Sequence, residues 1–154
     1  VTDSDLVVDF LNTLDVEDAT DVLDSDRTWW GWLQEHGLAT PTVQPRRQRT
    51  RAREVRDELR LVAQGEQAGV QEFPLTLTLR DGQPRLGGGD ALEEVLGAVA
   101  RLAVLGDLVR VKICPADDCA WAFYDTSRNG SRQWCSMAVC GNRAKARTHR
   151  ARQG

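Results

Sequence analysis

The sequence predicts an α+β protein in two parts. Residues 1–111 read as a mostly helical N-terminal body with one β-hairpin, and residues 112–154 as a small module holding every cysteine of the chain. Three observations carry that expectation. Apolar residues recur at helical spacing in several separate segments. One stretch, Leu75-Thr76-Leu77-Thr78-Leu79, instead alternates with period two and runs into Asp81-Gly82. The four cysteines form two equal pairs, Cys114 with Cys119 and Cys135 with Cys140, each enclosing four residues, with fifteen between the pairs.

Taken in order, Leu6, Phe10 and Leu14 stand at steps of four with Val7 and Leu11 beside them, one apolar face of a short helix. Asn12 and Thr13 follow as candidate polar groups, either for a pocket or, more simply, for hydrogen bonds that fix the chain leaving the helix. Nine acidic residues and no Lys or Arg lie between Asp3 and Asp26, and Asp15 to Asp26 reads as an exposed loop. Asp26 or Thr28 is placed to cap a second helix that Gly37 ends. Trp29, Trp30 and Trp32 on that helix cannot all face one side. With Asn12 they are candidate walls of a small-molecule effector pocket; the plainer reading puts two in the core and one over a domain junction. His36 near the helix end has no visible metal partner.

Pro45 suits the first turn of a long helix to about Gln64. At about 100° per residue, Arg46, Arg49, Arg53, Arg56 and Arg60 share one arc while Ala52, Val55, Leu59 and Val62 cluster nearly opposite. The arginines form either a phosphate-binding surface or a stripe that faces solvent or meets the acidic first 26 residues. Gly65 to Glu72 reads as a polar linker. The Leu75–Leu79 alternation, Asp81-Gly82 and Pro84-Arg85-Leu86 then make a hairpin. Asp90 and Glu93 resemble a capping box for a helix bearing Leu92, Val95, Leu96, Val99, Leu102 and Ala103, which Gly106 ends. Leu108 to Ile113 leads without a flexible linker into the first cysteine pair.

Two thiol pairs across a short loop can set four sulfurs about 2.3 Å from one zinc ion; two disulfides are the competing arrangement. A module of about forty residues cannot bury an adequate core alone, so one structural zinc is expected to fold it. Between the pairs, Trp121–Asp125 and Arg132–Cys135 flank Asn129-Gly130 and read as a second hairpin, with Trp121, Phe123 and Trp134 packed around the metal. Asp125 and Ser127 are placed to fix its loop or orient Arg132. Beyond Cys140, alanines and cations predict a helix with Asn142 at its start, capping it or bonding a thiolate. Knuckle, hairpin and helix make a treble-clef-like module.

Cys119, the run Phe123-x-Asp125-x-Ser127-Arg128-Asn129, Arg132, Trp134-Cys135-Ser136-Met137 and Cys140-Gly141-Asn142-Arg143 together resemble the CGNR zinc-finger family. Asp9-Phe10-Leu11-Asn12-Thr13 similarly looks like the opening of the ABATE domain that precedes that finger. The resemblance implies a bacterial transcription regulator that binds DNA.

Charge is divided unevenly. Residues 1–111 carry 12 Lys/Arg and 20 Asp/Glu, a net −8, whereas residues 112–154 carry 8 and 3, a net +5. The basic end is the one to approach a polyanion. Its candidate nucleic-acid contacts are Arg128 and Arg132 beside the loop and Arg143, Lys145, Arg147, Arg150 and Arg152 on the helix. A zinc-stabilised protein-interaction adaptor and a purely structural module remain open alternatives. No histidine pair, nucleophile motif or phosphate loop marks an enzyme. No run of 18 apolar residues is present, so no membrane span is expected. Reduced thiols suit the cytoplasm, and a homodimer would double the basic contacts.

Overall fold

The computed structural model describes residues 1–40, 44–66 and 69–152. The linker expected over Gly65 to Glu72 therefore lies partly outside the described residues. Helix α1, Asp3–Leu11, is central. The Thr2 hydroxyl accepts the Asp5 amide and the Asp5 carboxylate accepts the Thr2 amide, so the helix begins three residues before its first expected apolar position. It stops at Leu11. Leu14 belongs instead to β1 (Leu14–Asp15), paired antiparallel with β2 (Thr20–Asp21). The acidic stretch is thus not a plain loop: a tight hairpin leads into a single 3₁₀ turn that buries Leu23.

Ser25, rather than Asp26 or Thr28, caps α2 (Asp26–Glu35) by accepting the Thr28 amide. Trp29 and Trp32, three residues apart, both turn inward, while Trp30 stays 38 % exposed. The two buried rings stack at 5.1 Å between centroids, and Phe10 tilts against both. Helix α3 (Pro45–Gln64) closes that core with Ala52 and Val55, and Gly65 ends it at φ 76°. Its apolar and arginine arcs adjoin rather than oppose each other, because Arg56 and Arg60 are buried alongside Ala52 and Val55 and Val62 is left half-exposed.

Strands β3 (Leu77–Arg80) and β4 (Gln83–Leu86) form the expected hairpin, with Asp81 and Gly82 both at positive φ in a two-residue turn. Asp90 caps α4 (Ala91–Leu105) by accepting the Glu93 amide, but the Glu93 carboxylate accepts from Gly89, so the box closes one residue early. Gly97 lets α4 press against the hairpin base, since a Cβ there would stand 2.6 Å from the Leu86 carbonyl oxygen. Ala103, expected on the buried face, is exposed.

Helix α1 lies between two cores. Phe10 joins the tryptophans, Leu92 and Val95, and Val7 and Leu11 meet Ala98 and Leu102. The second core also takes in residues from a hairpin of β5 (Val111–Ile113) and β6 (Ala122–Tyr124). Period-two alternation makes this hairpin a shared wall. Val111, Ile113 and Ala122 pack on the body; Phe123 packs with the cysteines, and Lys112 reaches into the same module. A division between residues 111 and 112 thus falls inside one strand.

Candidate metal centre and basic helix

The β5–β6 turn is the first cysteine knuckle. The Cys114 amide donates to the Trp121 carbonyl, the Cys119 amide donates to that of Ala116, and Ala120 at φ 50° turns the chain back into β6. The second pair belongs to the entrance of the last helix, α5 (Asn142–Ala151). There a wide turn over Met137–Gly141, whose start is held by the Ser136 hydroxyl accepting the Val139 amide, brings Cys140 beneath Cys135. All four Sγ atoms lie within 4.8 Å of one another, with Cys119–Cys135 and Cys135–Cys140 at 3.6 Å. A tetrahedron with 2.3 Å arms has edges of about 3.8 Å, so the donors fit zinc.

The protonation pattern supports a metal role. Burial opposes ionisation at Cys114, Cys135 and Cys140. At Cys114 hydrogen bonds led by the Cys135 amide outweigh it and hold the thiol below its usual value, whereas burial and the neighbouring thiols push Cys140 up to about 11 and Cys135 higher still. Four thiolates do not coexist there without a cation, and a dication reverses the balance.

The hairpin expected between Trp121–Asp125 and Arg132–Cys135 does not form. The first run pairs with β5, and residues 125–134 wrap around the carboxylate of Asp125, which is fully buried. That group accepts from Lys112 Nζ at 2.7 Å and from the Ser127 and Arg132 amides at 2.9 Å each. Burial works against its charge, yet these donors outweigh burial and hold the carboxyl well below the usual carboxylate range. A buried anion with three donors organises this loop where a strand ladder was expected. Phe123 and Trp134 pack at the cysteines as anticipated, but Trp121 is 39 % exposed.

Two of the expected contact residues, Arg132 and Arg143, also bond within the module. Arg132 donates to the carbonyls of Trp134 and Cys135 and lies 4.9 Å over the Phe123 ring, so its guanidinium is already committed within the module. Arg143 donates to Asp118 in the first knuckle at 2.9 Å and approaches Glu17 at 3.9 Å. Asn142 neither caps α5 nor bonds a thiolate; its amide donates to the Ala138 carbonyl. Gly141 is buried where a Cβ would meet Met137 Sδ at 2.6 Å. The run Cys140 to Arg143 is thus a clamp of ligand, close approach, turn lock and knuckle tie. Beyond it Lys145, Arg147, Arg150 and Arg152 are all exposed, as is Arg128, and none of these five makes an ion pair among the described residues.

The arginines of α3 behave differently. Arg49 pairs with Asp26 at 2.6 Å, Arg53 with Asp21 and Asp24, and Arg56, only 2 % exposed, grips both oxygens of Asp21. Burial opposes the Asp21 charge, but Arg56 outweighs it and keeps this carboxyl low. Arg49, Arg53 and Arg56 therefore meet the acidic segment, as one of the two readings held, whereas Arg46 stays exposed and Arg60 turns to backbone carbonyls.

Two side chains that sequence reasoning did not place join the parts. Asn12 donates to the Ala122 carbonyl at 3.0 Å and accepts the Ala122 amide at 2.7 Å, standing in for a strand neighbour of β6. Arg60, buried, donates to the Leu11 carbonyl at the end of α1 and to the Ala120 carbonyl in the knuckle. No sequence signal links positions 110 residues apart. The four residues offered as an effector pocket are thereby dispersed: Asn12 is committed to β6, Trp29 and Trp32 fill the core, the latter backed by His36 at 4.0 Å, and Trp30 faces outward.

A four-thiol cluster split between a hairpin knuckle and a helix entrance, set on a helical body, defines a zinc-finger protein. The chain belongs to the ABATE family, described as "Putative stress-induced transcription regulator", whose model matches residues 4–112. Residues 110–153 match the CGNR zinc finger. No curated protein matches the chain. The module holds one structural zinc ion through Cys114, Cys119, Cys135 and Cys140. Four protein sulfurs close the coordination shell and leave no position for an activated water.

Proposed function

We propose that this regulator binds DNA through α5, with zinc supplying the anchor and no direct part in recognition. The observation that carries the reading is a ten-residue helix with no buried residue, rooted in the metal cluster, whose Lys145, Arg147, Arg150 and Arg152 make no ion pair among the described residues. Helix formers that serve no core and cations that serve no ion pair are best explained by a polyanionic partner. Lys145 and Arg152 border a groove floored by Trp134, while Arg147 and Arg150 occupy other faces, so the rod offers charge on more than one side. Arg128 adds a cation at the loop. Arg132 and Arg143 act behind the contact surface by holding the finger together. DNA in a bacterial cytoplasm is the setting this reading requires.

The test is a DNA titration at two salt concentrations, with wild type and a variant carrying Lys145, Arg147, Arg150 and Arg152 all as Ala. Zinc content and circular dichroism are checked first. Wild-type affinity should fall with a log–log salt slope of about −0.9 per phosphate neutralised. The variant should lose most of that slope. A folded, zinc-loaded variant that binds as wild type does would leave the protein-adaptor reading standing instead.

A further inference from the structure

We propose that the outer edge of β3 is a self-association surface whose occupant is a second copy of the same strand. The β3–β4 hairpin is largely exposed. Leu77 and Leu79 are 59 % and 77 % exposed, and every residue of both strands except Leu86 is exposed. A two-stranded hairpin of this length is marginal in water without further partners.

The backbone shows which edge is open. The Asp81-Gly82 turn makes Arg80 and Gln83 the hydrogen-bonded pair, and Gly87 donates to the Thr76 carbonyl. Thr76, Thr78 and Arg80 therefore turn their backbone groups toward β4, and Leu77 and Leu79 turn theirs away. The two edges are defended unequally. On the outer edge of β4 stands Pro84, opposite Leu79, which has no amide to offer. The outer edge of β3 carries no proline and, from Leu75 to Leu79, no charge. Proteins ordinarily blunt such an edge with one or the other.

The occupant follows from the sequence itself. Leu75-Thr76-Leu77-Thr78-Leu79 is a palindrome. Paired antiparallel about a two-fold axis through Leu77, it sets Leu75 opposite Leu79 and Leu77 opposite itself, with threonines opposite threonines. The residues that would exchange hydrogen bonds in this register are the leucines, whose backbone groups face outward. Arg80 falls opposite Pro74 and diagonal to Glu72 of the second copy, so no like charges meet. Such an interface is isologous and closes at two copies. A recess of about 620 Å³, bordered by Leu77, Pro84, Leu86, Glu94 and Arg101, lies beside the leucine face with room for side chains from the second copy. Five residues a side make a small contact, so the association should be reversible. The proposal does not depend on DNA binding.

The experiment uses the zinc-loaded full chain. Sedimentation equilibrium between about 10 µM and 1 mM, the range suited to an interface below standard size, should show monomer and dimer. Amide exchange by NMR should show Leu77 and Leu79 becoming protected as dimer forms, while Thr78 and Arg80 are protected throughout. Leu77→Lys, which sets two cations face to face, and Leu77→Pro, which deletes an amide that faces away from β4 and bonds nothing among the described residues, should each weaken dimerisation at least tenfold. Val109→Lys, at an exposed apolar residue elsewhere, should not. A chain that stays monomeric to about 1 mM overturns the proposal, as does a dimer retained by both folded Leu77 variants. If either variant loses zinc or structure, the wild-type exchange pattern decides: a dimer whose Leu77 and Leu79 amides exchange as freely as in the monomer is built elsewhere.

Discussion

Helices α3 and α5 are both stippled with arginine and look alike on paper, yet they occupy opposite roles. On α3, Arg56 and Arg60 are buried and Arg49, Arg53 and Arg56 each find a carboxylate from the acidic N-terminal stretch. On α5, four cations are exposed and make no ion pair among the described residues. The difference lies in what surrounds each helix. A buried guanidinium is tolerable only when paired or fully hydrogen-bonded, so the α3 arginines are part of how the body folds. An exposed one costs nothing to keep and remains available to a partner.

The largest expected effect separates the two helices outright. Chelation removes a contribution on the order of 10 kcal/mol from the finger. NMR of the chelated chain should lose dispersed signals from residues 114–151 and so lose α5 as an ordered helix, while signals from the buried tryptophans of the body persist. Persisting dispersion in the finger would contradict a zinc-dependent fold. Next in size, Arg56→Ala leaves Asp21 charged and poorly solvated and should cost about 3–5 kcal/mol in denaturant melts. Ala at Lys145, Arg147, Arg150 or Arg152 should each stay within about 0.5 kcal/mol. Equal effects at the two helices would erase the contrast drawn here.

Acid should weaken both regions, the body through Asp21 and the finger through Asp125. Asp21 has a folded-state pKa below its unfolded value, so its contribution to stability is complete above the unfolded carboxylate value of about 4 and is lost as pH falls through the folded one. Asp125 follows the same sign. Chemical melts between pH 6 and pH 3 should therefore lose stability progressively in wild type, and Asp21→Asn should flatten part of that loss. A more modest loss than that at Arg56 is expected at the joint between the parts. Asn12→Ala leaves both backbone groups of Ala122 without this partner and should cost about 1–3 kcal/mol. Amide exchange at Ala122 should rise more than at the far end of α5.

The cysteine module was largely legible because metal ligation is written in residue identity and spacing. Four cysteines in two equal pairs admit few arrangements, and the helices follow from apolar periodicity that any core would impose. The loop between the pairs was misread for an equally physical reason. Asn129-Gly130 permits a hairpin turn locally, but Asp125 is buried and gathers Lys112 and the Ser127 and Arg132 amides, and satisfying a buried charge outweighs a turn preference. Likewise Ser25 caps α2 although Asp26 and Thr28 are also eligible, because eligibility is local and the choice depends on how the preceding 3₁₀ turn presents the chain.

By itself, then, the sequence determined the helical periodicity, the metal ligands, the Asp81-Gly82 turn and the basic excess of the last forty residues, all of them set by neighbours within a few positions. Only the tertiary structure decided which arginines are paired and which are exposed, that Asn12 and Arg60 tie the body to the knuckle, and that Arg132 and Arg143 bond within the finger. Each of those outcomes depends on a partner between three and 110 positions away, and burial assigns a side chain its role only when the chain has brought that partner to it.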